Sequence, residues 1–295
     1  MKRLIPLVLL TAPAMAQDDL PTLTVLTYDS FVSEWGPGPE IERRFESACA
    51  CDLVFETGGD GAALLARLQL EGAGTDADVV LGLDTNLMAR ARGTGLFAPH
   101  GVEAPGLDLP VEWSDDTFLP FDWGWFAFVR RSDTPAPASL EELAAGDLSI
   151  IVQDPRSSTP GLGLALWLEM AGGAELMDAM ADNVVTVTKG WSEAYGLFTE
   201  GEADMVLSYT TSPAYHLIAE GDGGFAADAM AEGNYLQVEV AAKVAGTDQP
   251  VLAQRFLEFM VSDAFQDVIP TTNWMYPART PDEGLPEGFE TLAMP

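Results

Sequence analysis

Between Thr186 and His216 the chain reads TVTKGWSEAYGLFTEGEADMVLSYTTSPAYH, and the residue types that hold small molecules gather there. Met205–Tyr209 is an apolar run of strand length that ends in successive hydroxyls, Ser208, Tyr209, Thr210, Thr211 and Ser212. Pro213 suits the first helical position, with Ser212 as its N-cap. Trp191 and Tyr215 flank the strand. A strand that hands hydroxyls and aromatics to a new helix N-terminus is a way of building a ligand site. The same stretch offers little for catalysis. The chain holds 2 histidines, His100 and His216, and lacks a Gly-x-Ser-x-Gly elbow. Its 46 acids are too many for any one pair to be diagnostic, and no metal-ligand spacing stands out. The expectation is capture without chemistry, with no catalytic residue, metal or cofactor.

Two further strand-to-helix turns carry polar groups. Leu53–Glu56 runs into Thr57-Gly58-Gly59-Asp60-Gly61 and the helix Ala62–Glu71. Its exposed N–H groups suit an anion or an oriented polar ligand, although the glycine spacing fits neither a Walker loop nor a dinucleotide fingerprint. Asp60 serves equally well as a plain N-cap. Ser149–Val152 runs into QDPRSSTPG and the helix Leu162–Met170, so Ser158 and Thr159 stand at a second Ser/Thr-Pro helix start. Both such starts are placed to receive a phosphate or carboxylate. Tyr28 and Trp35 lie in the loop after the strand Leu23–Thr27, at the carboxyl end where open α/β sheets bind ligands. Packing explains either aromatic alone equally well. Trp274 and Tyr276 lie in a proline-bounded loop near the end.

The elements that position these groups alternate strand and helix, which predicts an α/β fold. Further strands are expected at Ala77–Leu81, Phe121–Val129 and Tyr235–Ala241, and helices at Ser139–Ala145 and Gln249–Val261. Phe121–Val129 is long and apolar enough to carry the chain between two lobes, and Tyr235–Ala241 to bring it back. At 295 residues the chain is long enough for two lobes. Lys2-Arg3, the apolar run Leu4–Leu10 and Ala14-Met15-Ala16 form an export signal spanning residues 1–16, so the mature product is expected to be soluble and exported. Removing Lys2 and Arg3 takes the formal charge from −32 to −34, a surface that repels nucleic acid. Solubility in a salty habitat explains that acidity as well as a cationic ligand does. Cys49 and Cys51 are the only cysteines, read as structural, either a bridge or two buried thiols.

Five stretches, TYDSFVSEWGPGP, DPRSSTPGLG, TVTKGWSEAYGLF, LSYTTSPAYH and IPTTNWMYP, resemble those of the periplasmic thiamine-binding proteins of ABC importers. The resemblance runs from about Leu23 to Pro277. It implies the two-lobed type II periplasmic-binding fold, each lobe a mainly parallel sheet flanked by helices, with a hinge between them. Residues 22–120 with 247–295 would form lobe I, and 121–246 lobe II. It also implies a thiamine site at Asp60, Gly61, Ser158, Thr159, Trp191, Tyr209, Thr210, Thr211 and Ser212, with Tyr28, Trp35, Tyr215 and Trp274 as further contacts. Aromatic faces would stack on the pyrimidine and thiazolium, each cation–π contact being worth roughly 0.5–2 kcal/mol. The implied ligands are thiamine and its mono- and diphosphates, and the implied partner is an inner-membrane ABC permease with its ATPase. Two rivals are a ferric-ion binder on the same fold, using Tyr209 and Tyr215 as phenolate ligands, and an exported hydrolase. Relatives often continue into a further C-terminal helix where this sequence ends in coil at Pro295.

Overall fold

A computed structural model describes residues 20–103 and 106–295. The expected export signal and its cleavage point at Ala16 lie outside the described residues. Among the described residues eleven strands form one continuous sheet that divides into two lobes. In chain order these are β1 (Thr22–Thr27), β2 (Asp52–Thr57), β3 (Val79–Asp84), β4 (Phe97–Ala98), β5 (Leu119–Arg131), β6 (Ile150–Gln153), β7 (Val184–Thr188), β8 (Met205–Tyr209), β9 (Phe225–Ala227), β10 (Leu236–Val244) and β11 (Tyr276–Pro277). The main path runs β2-β1-β3-β10-β5-β8-β6-β7.

One strand joins the lobes. The first half of β5, Leu119 to Trp125, pairs antiparallel with β10, and from Phe126 to Arg130 it pairs antiparallel with β8. The return crossing lies beside it, where the Phe126 amide donates to the Tyr235 carbonyl at 2.9 Å. On either side of the central pair β10 and β5 the strands are parallel: β2, β1 and β3 in the first lobe, and β7, β6 and β8 in the second. The expected limit of the second lobe at residue 246 needs correction. β10 pairs with β3 over Glu239–Lys243 and with β4 beyond it, so the chain is already in the first lobe from Leu236.

Period-two alternation on the connecting strand sets the second lobe's core. Phe126 and Phe128 face one way, against Trp167 and Leu168 of the helix Thr159–Ala171, while Ala127 and Val129 face the other, against Ala194 and Phe198 of the helix Trp191–Thr199. Burying a side chain of that size contributes about 1.5–3 kcal/mol. The first lobe packs α1 (Gly38–Cys49) and α2 (Gly61–Glu71) on its sheet through Ile41, Phe45, Leu64 and Leu68. Cys49 and Cys51 are bridged, joining the end of α1 to the start of β2. The Ser139 hydroxyl caps the helix Leu140–Ala145 by accepting from the Glu142 amide at 3.0 Å, as the capping pattern predicts.

Candidate functional site

Three strand-to-helix turns meet at the cleft between the lobes, and the polar side chains at their helix starts, Asp60, Ser158 and Ser212, do not cap their own helices. Asp60 occupies the N-cap position of α2 with an extended backbone, yet its carboxylate makes no bond to that helix. It reaches across instead. Asp60 Oδ2 accepts the Ser158 hydroxyl at 2.7 Å and the Trp191 amide at 3.0 Å, both on the second lobe. The expected plain-cap role of Asp60 is therefore not the one its side chain fills. Ser158, at the head of the helix Thr159–Ala171, is likewise spent on Asp60 rather than on its helix. Beside them the Ala63 amide donates to the Ser157 carbonyl at 3.0 Å. Gly61 is small because the lobes meet there: a Cβ on it would lie 2.6 Å from Thr159 Cγ2 and 2.4 Å from the Gly82 carbonyl oxygen.

Ser212 takes the expected N-cap position, but its side chain does not cap. Ser212 has helical backbone angles and no side-chain bond to the short helix Pro213–Tyr215. Its hydroxyl lies 2.7 Å from the Ser208 hydroxyl and accepts the Tyr209 amide at 3.2 Å. Ser208 in turn accepts the Trp191 indole N–H at 2.7 Å. The run of hydroxyls thus fixes an aromatic plane. Trp191 stacks on Tyr195 with centroids 4.9 Å apart and planes 24° apart, and faces Trp35 of the other lobe at 6.2 Å. Tyr195 bonds His216 Nε2 at 2.9 Å, and His216 stacks on Phe225 at 3.5 Å. Tyr215 meets Trp274 edge-on at 5.4 Å. Trp274 sits at φ 55, in the left-handed region that non-glycine residues seldom enter. Such strain costs about 1–3 kcal/mol and collects at ligand sites.

The floor of the cleft is acidic. The Tyr28 hydroxyl donates to Glu239 Oε2 at 3.0 Å, and the Asn273 amide donates to Tyr28 Oη at 2.9 Å and to Asp122 Oδ2 at 2.6 Å. Tyr209 donates to Gln237 Oε1 at 3.2 Å, and Gln237 donates to Glu239 Oε1 at 2.7 Å. Burial, with the charges of Glu239 and Asp122 nearby, holds the Tyr28 phenol well above its usual range. Burial also raises the Asp60 carboxyl, although its bonds from Ser158 and Trp191 act against that rise.

The resulting cavity has a volume of about 510 Å³, within the roughly 300–1,000 Å³ usual for small-molecule sites. Among the sequence-predicted residues, Tyr28, Trp35, Asp60 and Gly61 line it from the first lobe together with Trp274. Thr159, Trp191, Tyr209, Ser212 and Tyr215 line it from the second. Ser158 lies behind Asp60, and Thr210 and Thr211 are fully buried in the strand end. Thr210 donates its amide to the Trp125 carbonyl at 2.9 Å, so it ties β8 to the connecting strand instead of facing the cavity. Sequence reasoning passed over Tyr195, His216, Glu239, Asn273 and Met275, which also line the cavity. Gln237 and Glu239 alternate with valines, a pattern that reads as a solvent-facing side, although strands on both sides cover them.

The profile of bacterial extracellular solute-binding proteins matches residues 39–267. The chain belongs to that family. Among its relatives is the thiamine-binding periplasmic protein of Escherichia coli (strain K12), 54% identical over 303 residues that cover all of this chain and 91% of the relative. A solved periplasmic thiamin binding protein superposes on this solute-binding protein with a TM-score of 0.91 at 52% identity, covering 97% of this chain and 91% of the other. Iron-bound HitA from Pseudomonas aeruginosa shares the fold at a TM-score of 0.73 and 18% identity, covering 91% of this chain and 90% of its own. That likeness is one of fold alone.

Proposed function

We propose that this solute-binding protein captures thiamine between its lobes in the periplasm and delivers it to an inner-membrane ABC permease driven by an ATPase. The observation that carries this reading is the cleft's chemistry. Aromatic faces from both lobes, Trp35, Trp191, Tyr215 and Trp274, surround a floor where Glu239 and Asp60 supply carboxylates. Aromatic walls attract an organic cation by roughly 0.5–2 kcal/mol per contact, more when water is excluded. A thiazolium joined to an aminopyrimidine matches both features, and the names of the relatives support it. The mono- and diphosphate are proposed as further ligands. Their phosphate would compete with Asp60 for the Ser158 hydroxyl and the Trp191 amide. The protein acts by binding alone, and closure about β5 and β10 traps the ligand.

A ferric-ion role on the same fold is less well supported. Its phenolate ligands would be Tyr209 and Tyr215, but Tyr209 donates to Gln237 while Tyr215 donates to Glu220 at 2.9 Å. Among the described residues no group of three His, Cys, Asp or Glu side chains is placed to hold a metal ion. Titration with thiamine and, separately, with ferric iron distinguishes the two. Saturable one-to-one thiamine binding supports the proposal, and a visible iron charge-transfer band without thiamine binding overturns it.

A further inference from the structure

The strand register sets three acids side by side across the floor of the first lobe: Asp84 on β3, Glu239 on β10 and Asp122 on β5. All three are buried. Like charges directly opposite on neighbouring strands repel, and in a low-dielectric interior they cannot all ionise. Their partners are neutral donors. Tyr28 and Gln237 donate to the two oxygens of Glu239, and Asn273 donates to Asp122 Oδ2. Asp122 Oδ1 is buried with no donor among the described residues. The titratable groups that face the pair from the surrounding elements are Tyr28 after β1, Asp60 before α2, Asp84 on β3 and Tyr209 on β8, and none of them brings a positive charge. Burial, reinforced by Asp122, raises the Glu239 carboxyl well above its usual range, and burial raises Asp122 as well. Of the pair, Glu239 lines the ligand cavity.

An orphaned carboxylate oxygen beside a second carboxyl is satisfied when the two share a proton. A cation arriving over Glu239 removes the reason to keep that proton. We propose that Glu239, paired with Asp122, selects for positive charge in the cleft, and that a cationic guest replaces a proton held by the pair, so that capture releases a proton to solvent. The carboxylic acid gives up its proton to the buffer and the resulting carboxylate pairs with the guest's charge. Covalent bonds of the guest are untouched. The inference rests on thiamine as the guest and names what the site reads in it.

The test is calorimetry of the refolded, ligand-free protein with thiamine at pH 7, in three buffers of different ionisation enthalpy. The observed heat should vary linearly with buffer ionisation enthalpy, with a slope of about one proton released. Affinity should rise toward tenfold per pH unit over the interval in which the pair holds its proton, the limit set by one coupled proton. In Glu239→Gln the slope should fall to near zero and affinity for thiamine should drop at least tenfold. The neutral aminopyrimidine alcohol, which lacks the thiazolium, should release no proton from the unaltered protein. If Glu239→Gln does not fold, as judged by circular dichroism, Asp122→Asn takes its place and should also abolish the slope. Thiamine binding with equal heats in every buffer would overturn the inference and leave the thiamine reading standing. A slope that survives both substitutions would overturn it too. Absence of any thiamine binding would overturn both.

Discussion

Asp60 of the first lobe holds Ser158 of the second by a 2.7 Å bond from the serine hydroxyl to Oδ2. The same carboxylate oxygen takes the Trp191 amide, so one side chain gathers two donors that a phosphate would also seek. An anionic phosphate near an ionised Asp60 meets like charge, and a neutral amide removes that repulsion. Asp60→Asn should therefore raise the affinity for thiamine monophosphate relative to thiamine by about tenfold, or about 1.4 kcal/mol. Competition calorimetry with the two ligands gives the ratio directly. An unchanged ratio would show that the phosphate does not reach Asp60.

Gly61 sets how closely the lobes approach. An added methyl would meet Thr159 across the cleft and the Gly82 carbonyl beneath it. Overpacking of this kind costs about 1–3 kcal/mol. Gly61→Ala should lower the melting temperature and weaken thiamine binding, and small-angle scattering with ligand present should show a larger radius of gyration. Full closure in the variant would mean that contact at Gly61 does not limit the approach.

Trp191 is the wall whose orientation is most firmly fixed, by Ser208 at its indole and Tyr195 at its face. Trp191→Ala should weaken thiamine binding by about 1–3 kcal/mol, the size of a lost aromatic contact. Ser208→Ala should cost about 1 kcal/mol by freeing the indole N–H. Equal affinities for the unaltered protein and Trp191→Ala would remove that ring from the site.

Stability should follow the raised carboxyls. Burial pushes Asp84 up to about 7, and raises Asp122 and Glu239. Between the unfolded carboxyl value near 4 and these higher values the folded chain binds more protons than the unfolded chain. The stability they contribute is fully present below about pH 4 and is lost as pH rises through their folded values. Each differential proton is worth about 1.4 kcal/mol per pH unit. His216, held below its usual range mainly by burial, acts in the opposite sense below about pH 6.5. The discriminating quantity is thus a difference. Denaturant midpoints between pH 5 and 8 should fall less steeply in Glu239→Gln than in the unaltered protein, and parallel curves would count against a proton on Glu239.

Much of this architecture was legible in the apolar runs. Met205–Tyr209 is a strand over the expected residues, and Phe121–Val129 lies within the longer β5 that joins the lobes. The lobe boundary was harder to see, because β5 changes partner between Trp125 and Phe126 without a turn, and the return crossing falls at Tyr235, just before β10. Capping patterns misled at Asp60 and Ser212. Both residue types fit the cap, but Asp60 is taken by Ser158, 98 residues along the chain, and Ser212 by Ser208, which a strand ending in a tight turn brings back beside it. Glu239 was hidden for a related reason. Alternation on an antiparallel strand ordinarily puts acids in water, and only the assembled floor of Tyr28, Asp122 and Asn273 shows that this acid points inward.

The central claim is tested most directly by titrating thiamine into protein that has been unfolded and refolded to shed carried-over ligand, followed by calorimetry and tryptophan fluorescence. Saturable one-to-one binding, with a fluorescence change that disappears in Trp191→Ala, is the predicted result. No heat and no fluorescence change with thiamine or its phosphates, alongside tight uptake of ferric iron, would contradict it.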